Sequence, residues 1–365
     1  MSIPPVIDSH LHMLPPLVMK RYRTWVAEER PPYEGLPGMW ASPAFEHPEE
    51  QIKALDAAGI NAGLITFSSN APGAMHTTAV AEKLTGPEMV RMVNDQIIAW
   101  AKGSNGRLIA TAWVEPRFGA EAVVEMDRVL NEQGVQAFSM LTAYRGPGQP
   151  LRFLDHPLFF PVLEHAAKLN IPVFVHTSGR FNVLADMGEP ALQGQAAMYL
   201  TGGLSMLVES TLCLLRLTLS GVFDRLPELR LVFGQLGGLF PFVLGRFDLI
   251  YELVLVAAAQ SGAEGKLNRQ DVATICRRLR DYAGNIYVDT HSMDRAALLC
   301  ALEALGADRL LYGSDFPVTP AHLGRHEALE MIQALPVSEE VKAAILGGNA
   351  LSLLSLSRLE EGVSR

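Results

Sequence analysis

The sequence predicts an α/β protein built as a (β/α)8 barrel, the TIM-barrel architecture. Eight short apolar runs alternate with helical patterns along nearly all of the 365 residues, as parallel strands and their connecting helices do. Polar residues directly follow many of these runs. A doubly wound open sheet is the alternative, but it does not explain so many polar strand ends. In a barrel, the strand ends at one face all converge on one site, so the polar residues favour the barrel.

Each predicted strand is a short run rich in apolar and β-branched residues. The eight runs are 6–8, 62–67, 108–114, 135–140, 171–175, 229–233, 285–289 and 309–312. Helical patterns lie between them and after them, at 48–58, 76–102, 120–132, 155–169, from Leu204 onward, 240–259, 271–282, 294–305, 321–334 and 338–354. Pro157 suits the first turn of its helix, where a missing N–H costs nothing.

The chain is predicted to form a single domain, residues 1–365, with C-terminal helices at 321–354. Residues 13–48 are rich in Pro, Gly and aromatic residues and are predicted to be irregular. One interpretation is a lid or insertion over the end of the first strand, because loops of this length in compact domains are often functional. The other interpretation is a surface loop.

Composition limits the class of protein. Hydrophobic residues make up 49% of the chain and charged residues 19%, with a net charge of −9. The negative charge argues against a general binder of nucleic acid or anionic membranes. Three widely spaced cysteines, without a signal-peptide pattern, predict a cytoplasmic protein with reduced thiols. The apolar stretch from Leu204 to Ser220 is interrupted by Glu209 and Arg216, so no uncharged run is long enough to span a bilayer.

The first strand ends in a His-x-His motif, His10-Leu11-His12. Side chains alternate along an extended chain, so both imidazoles point to the same side just past the strand end. Zinc and neighbouring metals favour imidazole and carboxylate ligands. The motif is therefore half of a metal site if the remainder of the chain supplies the other half.

Polar residues also lie at the ends of other strands. His176 ends strand five, Asp315 follows strand eight, and Asp289 and His291 follow strand seven. Taken alone, His176 could be a core histidine and Asp315 a helix cap. Taken together with the first motif, three imidazoles and a carboxylate predict a catalytic divalent metal site.

Motifs along nearly the whole chain resemble those of the amidohydrolase superfamily, in the branch called amidohydrolase family 2. That branch includes aminocarboxymuconate-semialdehyde decarboxylase, aromatic-acid decarboxylases and some hydratases. The matching segments are 7–12, 154–157, 172–176, 220–225, 237–248, 287–290 and 311–317. The resemblance implies a barrel of the metal-dependent hydrolase type. It also implies that His10, His12, His176 and Asp315 bind one divalent metal, usually zinc, with manganese or another transition metal as the alternative.

The sequence departs from the family pattern at one position. The residue before Leu236-Gly237-Gly238 is usually a histidine that activates water or holds the reacting group, and here it is Gln235. An amide accepts no proton at ordinary pH, so a general base is lost there. His291 could substitute as an acid or base, or it could be a surface loop residue.

The resemblance also suggests residues that bind substrate. Arg246 resembles a family arginine that crosses a dimer interface to pair with a substrate carboxylate; a solvated helix charge is the alternative. Arg180 and Tyr144 follow strands five and four and are further candidates. Apolar helices from Leu204 and Phe240 suggest a homodimer, although they would also suit the shell of a barrel.

Three functions are compatible with this sequence. The first is a metal-dependent lyase, decarboxylase-like, with Asp315, Gln235 and His291 as catalytic candidates and a small carboxylated unsaturated or aromatic substrate. The second is a metal-dependent hydrolase or hydratase that uses metal-bound water. The third is a relative whose reaction was changed by Gln235, or which only binds a ligand.

Overall fold

Eight parallel strands surround a common axis in the part of the chain that the structure, a computed structural model, describes. That part comprises residues 4–29, 40–68, 71–145, 149–179, 196, 199–260, 278–291 and 294–356. The strands are β1 (Ile7–His12), β2 (Ala62–Thr66), β3 (Leu108–Ala110 with Ala112–Trp113), β4 (Phe138–Leu141), β5 (Val173–His176), β6 (Leu231–Phe233), β7 (Ile286–Asp289) and β8 (Leu310–Leu311).

The pairing of these strands closes the barrel. Each strand from β1 to β8 pairs in parallel with the next, and Thr111 joins the two parts of β3. The last gap is closed where the Ser9 N–H donates to the Tyr312 carbonyl at 2.8 Å and Leu11 bridges Phe316. The barrel prediction is confirmed, and an open sheet is excluded because its two edge strands would not be joined.

Helices cover the outside of the barrel between the strands. The α-helices are Pro16–Glu29, Pro48–Ala57, Ala71–Glu82, Gly86–Gly103, Ala120–Gln133, Phe160–Leu169, Met206–Leu219, Val222–Arg225, Phe240–Gln260, Arg295–Leu305, Ala328–Gln333, Glu339–Ala343 and Asn349–Leu354. Most lie where the sequence predicted them. A short antiparallel pair, Ala143–Tyr144 with Arg152–Phe153, lies between β4 and the helix Phe160–Leu169.

The prediction of one long helix over 76–102 is wrong. Two helices occupy this region, because Lys83 adopts a left-handed φ of 58° and ends the first. Thr85 then caps the second: its hydroxyl accepts from the Glu88 N–H, and the Glu88 carboxylate accepts from the Thr85 N–H. The Thr-x-x-Glu pattern of this reciprocal capping box indicates a helix start in the sequence.

The prediction that 13–48 is irregular is also wrong in part. Pro16–Glu29 is an α-helix, and Val18, Met19 and Tyr22 are buried on the side that packs against Ala71–Glu82. Residues 30–39 lie outside the described residues. That the segment serves as a lid or insertion stays a prediction.

Two other helical regions need comment. The helix predicted at 271–282 is described only from 278, where Leu279–Asn285 forms a 3-10 helix. The stretch Thr201–Leu219 is long and apolar enough to cross a membrane by length and composition. However, its Glu209 is fully buried, and the Glu209 carboxylate accepts from the Thr142 hydroxyl beside the barrel.

Apolar side chains fill the lower half of the barrel, at the amino-terminal ends of the strands. The polar site therefore lies in the upper half, at their carboxyl ends. One buried cluster joins the interior residues Ile7, Leu64, Ala137, Phe174, Val232 and Leu311. The last helix closes this end by adding Ala350, Leu351, Leu353 and Leu354 to the cluster. A Cβ at Gly347 would collide with the Pro5 carbonyl oxygen, so only glycine allows this close approach.

Candidate metal centre

Four side chains from three strand ends meet at the carboxyl end of the barrel. They are His10 and His12 from β1, His176 from β5 and Asp315 after β8, and all four are buried. One ligand atom from each lies within 4.8 Å of those of the other three. The structure thus brings together the four residues that the sequence singled out as metal ligands.

Hydrogen bonds prepare all three histidines to bind a metal through Nε2. Each Nδ1 lies next to an acceptor, so Nδ1 carries the proton and leaves a lone pair on Nε2. The acceptors for His10, His12 and His176 are the Asp289 carboxylate at 2.5 Å, the Thr66 carbonyl at 3.2 Å and the Thr177 carbonyl at 2.9 Å. The Nε2 atoms of His10 and His12 are then only 3.2 Å apart with lone pairs facing, an arrangement that a shared cation would stabilise.

Asp315 adds the fourth donor and divides its two oxygens. Oδ1 lies 2.9 Å from His12 Nε2 and 3.5 Å from His10 Nε2, yet no donor from the part of the chain that the structure describes reaches it in hydrogen-bonding geometry. Oδ2 lies 3.4 Å from His291 Nε2. Three imidazole nitrogens and an unsatisfied buried carboxylate oxygen fit a divalent transition metal.

Burial and charge shift the pKa values of these ligands in different directions. Burial lowers the pKa of His10, but the carboxylates of Asp289 and Asp315 outweigh it and raise that pKa to about 9. Burial, together with His12 and His10, lowers the pKa of His176 to about 3. Burial raises the pKa of Asp315, but the neighbouring histidines outweigh this and hold it well below its usual range.

Asp289 organises the centre without being one of the four donors. Its Oδ2 accepts from His10 Nδ1, and its Oδ1 accepts from the backbone N–H groups of Gln235, at 2.8 Å, and His291, at 3.0 Å. The sequence placed Asp289 at the end of β7 but gave it no role. A carboxylate behind a ligating histidine fixes the ring orientation and tautomer, so Asp289 is a positioning residue.

Gln235 lies at the edge of this centre. Its φ of 56° is in the left-handed region, which costs energy for a non-glycine residue and is offset here by the hydrogen bond to Asp289. Its side chain is buried, and its Nε2 lies 4.0 Å from the Met206 sulfur. The side chain therefore has no strong protein partner among the described residues.

A cavity of about 690 Å³ adjoins the centre. Gln235 and His291 line it on the side of the metal ligands, and apolar residues such as Leu207, Leu239 and Phe242 line much of the remainder. A second void, inside the barrel next to His10 and His176, measures only about 10 Å³ and would hold about one water. Only the larger cavity is of the size of small-molecule sites.

The remaining candidates lie in different places. His291 lines the cavity, whereas Tyr144 is buried, and its hydroxyl accepts from the Leu141 N–H at 2.8 Å. Arg246 is exposed on the helix Phe240–Gln260 and does not line the described cavity. Arg180 lies outside the described residues. Roles for these four in catalysis or substrate binding stay predictions.

Comparisons with known proteins agree with the motifs. The amidohydrolase family model matches residues 7–356. A 2-amino-3-carboxymuconate-6-semialdehyde decarboxylase of Dictyostelium discoideum is 26% identical over 271 residues, 74% of this chain and 67% of the relative. A gamma-resorcylate decarboxylase of a Rhizobium species is 26% identical over 313 residues, 84% of this chain and 87% of the relative.

A solved structure shows the same fold. The 5-carboxyvanillate decarboxylase of Novosphingobium aromaticivorans, complexed with manganese and 4-hydroxy-3-methoxy-5-nitrobenzoic acid, aligns with a TM-score of 0.75 at 19% identity. The alignment covers 96% of each chain. At this identity the likeness establishes the barrel fold and carries no assignment of individual residues.

Proposed function

Because the chain belongs to the amidohydrolase family, we propose that it is a metal-dependent carbon–carbon lyase that decarboxylates a small aromatic or unsaturated carboxylate. The observation that carries this proposal is the cluster of three Nε2 atoms and one carboxylate beside a cavity of substrate size. The two relatives described above are decarboxylases, which supports the same reaction type.

His10, His12, His176 and Asp315 would hold the metal. We propose zinc, which the three imidazoles favour, with manganese as the alternative because a relative of the same fold binds it. When bound, a divalent ion would polarise a substrate oxygen and stabilise the negative charge that develops as carbon dioxide leaves.

Proton transfer falls to Asp315 and His291. Loss of carbon dioxide leaves an electron pair on the substrate carbon, and one proton must be delivered there to complete the product. Asp315 Oδ2 lies 3.4 Å from His291 Nε2. The two groups can therefore exchange a proton, and His291 also borders the cavity. Gln235 can only orient substrate, because an amide is not a base.

The oligomeric state is a separate part of the proposal. Several large apolar side chains are exposed along Phe240–Gln260, including Phe242 at 79% and Leu253 at 53%. A patch of this kind on a soluble protein indicates an interface, and we propose a homodimer. Arg246 lies on the same helix, so it would serve the partner's cavity. We also propose a cytoplasmic location, from the cysteine content.

Carbon dioxide release by the metal-loaded protein, measured on a panel of hydroxybenzoates and carboxylated dienes, tests the reaction. We expect at least one substrate to release carbon dioxide and form the protonated product. His12→Ala should abolish turnover. Hydrolysis or hydration products, without carbon dioxide, would instead support the alternative reaction at this site.

A further inference from the structure

A fully buried ion pair lies next to the metal centre and joins β1 to the segment that follows β8. The Arg325 and Asp8 side chains are both 0% exposed, although 317 positions separate them in the sequence. Arg325 Nη2 and Nε donate to the same Asp8 oxygen, Oδ2, at 3.3 and 3.4 Å. Two buried charges are expensive to desolvate, and their retention is a reason to ask what they organise.

Asp8 connects this pair to two metal ligands. Its Oδ1 accepts from the His10 N–H at 3.2 Å and from the Ser314 N–H at 3.0 Å, and its Oδ2 accepts from the Ser314 hydroxyl at 2.5 Å. Ser314 directly precedes Asp315, whose own N–H donates to the His10 carbonyl at 2.8 Å. One carboxylate thus fixes the backbone of β1 against the backbone that carries Asp315.

Gln51 connects Arg325 to a third ligand. Arg325 Nη2 donates to Gln51 Oε1 at 3.3 Å, and Gln51 Nε2 donates to the His12 carbonyl at 3.3 Å. Gln51 is also fully buried. Arg325 therefore reaches His10 through Asp8, His12 through Gln51, and Asp315 through Asp8 and Ser314, whereas the described residues give His176 no link to this network.

The segment that carries Arg325 is held in place by close packing. It forms a π-helix, His322–Glu327, and a Cβ at Gly324 would collide with the Ser314 carbonyl oxygen. The Arg325 guanidinium lies 4.0 Å from the centre of the Phe316 ring, which stabilises the cation on its other face. These contacts hold the guanidinium in place next to Asp8 and Gln51.

We propose that Arg325 is a positioning residue that sets the geometry of the metal centre through Asp8 and Gln51. The inference rests on the metal centre of the proposed function but not on the reaction. A planar guanidinium suits this role because its N–H groups point in fixed directions toward two acceptors. A lysine ammonium is a single point of charge on a flexible stem and does not fix two acceptors in this way.

Metal affinity tests this proposal. Arg325→Met should raise the dissociation constant for zinc roughly 10- to 100-fold, the usual cost of losing a residue that supports metal ligands. The visible absorption of the cobalt-substituted protein should change as well, since it reports ligand geometry. Arg128→Met is the matched control, because it removes a 9% exposed arginine that pairs with Glu125 on its own outer helix and with Asp95 on the helix Gly86–Gly103. It should change neither measurement.

Two further variants separate positioning from charge and folding. Gln51→Met leaves the buried ion pair intact but removes the hydrogen bond from Arg325 and the neutral one to the His12 carbonyl. Loss of the neutral bond, the one that touches a metal ligand, should weaken zinc binding about fivefold. If Arg325→Met does not fold, the zinc affinity of Gln51→Met still tests whether this network positions the metal ligands. Arg325→Lys should fold yet keep most of the affinity loss.

Three results would overturn the proposal. One is wild-type zinc affinity with an unchanged cobalt spectrum in folded Arg325→Met; another is the same result in Gln51→Met. The third is full recovery in Arg325→Lys, because charge alone would then suffice. A wild-type protein that binds no metal would instead refute the proposed function.

Discussion

Replacing Asp289 with asparagine tests how the centre keeps His10 ready for metal. The Asp289 carboxylate serves three donors: His10 Nδ1 at 2.5 Å and two backbone N–H groups, of Gln235 and His291. Asparagine has the same shape but only one oxygen. In either orientation of the amide, its NH2 group faces a donor. The variant therefore loses either the hydrogen bond from His10 Nδ1 or those from the two backbone N–H groups.

The magnitude follows from the bond that is lost. A hydrogen bond to a charged group contributes about 1.5–3 kcal/mol, which corresponds to roughly a 10- to 100-fold change in metal affinity. If the NH2 group faces His10, the ring proton moves to Nε2 and occupies the ligand position. The opposing effect is that the pKa of His10, about 9 with Asp289 present, falls in the variant.

The two effects separate with pH. At pH 7 the metal-free wild type carries a proton on His10 that the metal must displace, so its apparent metal affinity is reduced. Because the pKa of His10 is lower in the variant, this competition reduces the metal affinity of the variant less. The deficit of Asp289→Asn should therefore grow as pH rises from 7 to 9. Competition with a chelator at both pH values measures it.

Asp155→Asn is the control, since Asp155 pairs with Arg216 on the outside of the barrel. Folded Asp289→Asn with wild-type zinc affinity at pH 9 would refute the positioning role of the carboxylate.

Three other outcomes follow from the same geometry. His12→Ala should lose the metal, by elemental analysis, yet retain the circular dichroism of a folded barrel, because the apolar lower half is untouched. Gln235→His should reduce native turnover by about 100- to 1000-fold if the amide orients substrate; unchanged turnover would show that Gln235 is a bystander. Metal-free protein should be most stable near pH 6.5, by denaturant titration. The lowered pKa of His176, about 3, makes stability rise up to that pH, and the raised pKa of His10, about 9, makes it fall above. A flat profile from pH 5 to 9 would contradict this.

The barrel and the cluster of the four proposed metal ligands could be predicted because their signals are local. Each strand is an apolar run of a few residues, and each ligand follows such a run directly. The barrel topology then brings the strand ends together without any knowledge of side-chain contacts. His10, His12, His176 and Asp315 needed nothing more.

The helix over 76–102 was mispredicted because apolar periodicity outweighed a local signal. Thr85-Gly86-Pro87-Glu88 contains a capping residue, a proline suited to a first turn and the matching acid. The helix Pro16–Glu29 was missed for the opposite reason: flanking prolines and glycines suggested a loop, whereas burial of Val18, Met19 and Tyr22 stabilises it. Tertiary packing of that kind leaves no clear local signal.

The residues that support the ligands could not be found from sequence. Arg325 lies in a helical pattern near other charges, and nothing local distinguishes it from a solvated arginine. Its partners Asp8 and Gln51 are 317 and 274 positions away. Both charges are buried because the π-helix packs against the Ser314 carbonyl, a contact that only the folded structure shows.

The difference between backbone and side-chain contacts explains how Gln235 can stand where the family usually has a histidine without disturbing the centre. Its backbone N–H, not its side chain, bonds to Asp289, and its left-handed φ sets the path of the chain toward Gly237 and Gly238. The side chain lines the cavity, and among the described residues its one polar contact is the Met206 sulfur at 4.0 Å. We therefore expect a substitution here to change the wall of the cavity and to leave the proposed metal ligands in place. The reaction can therefore diverge at this position while metal binding is retained.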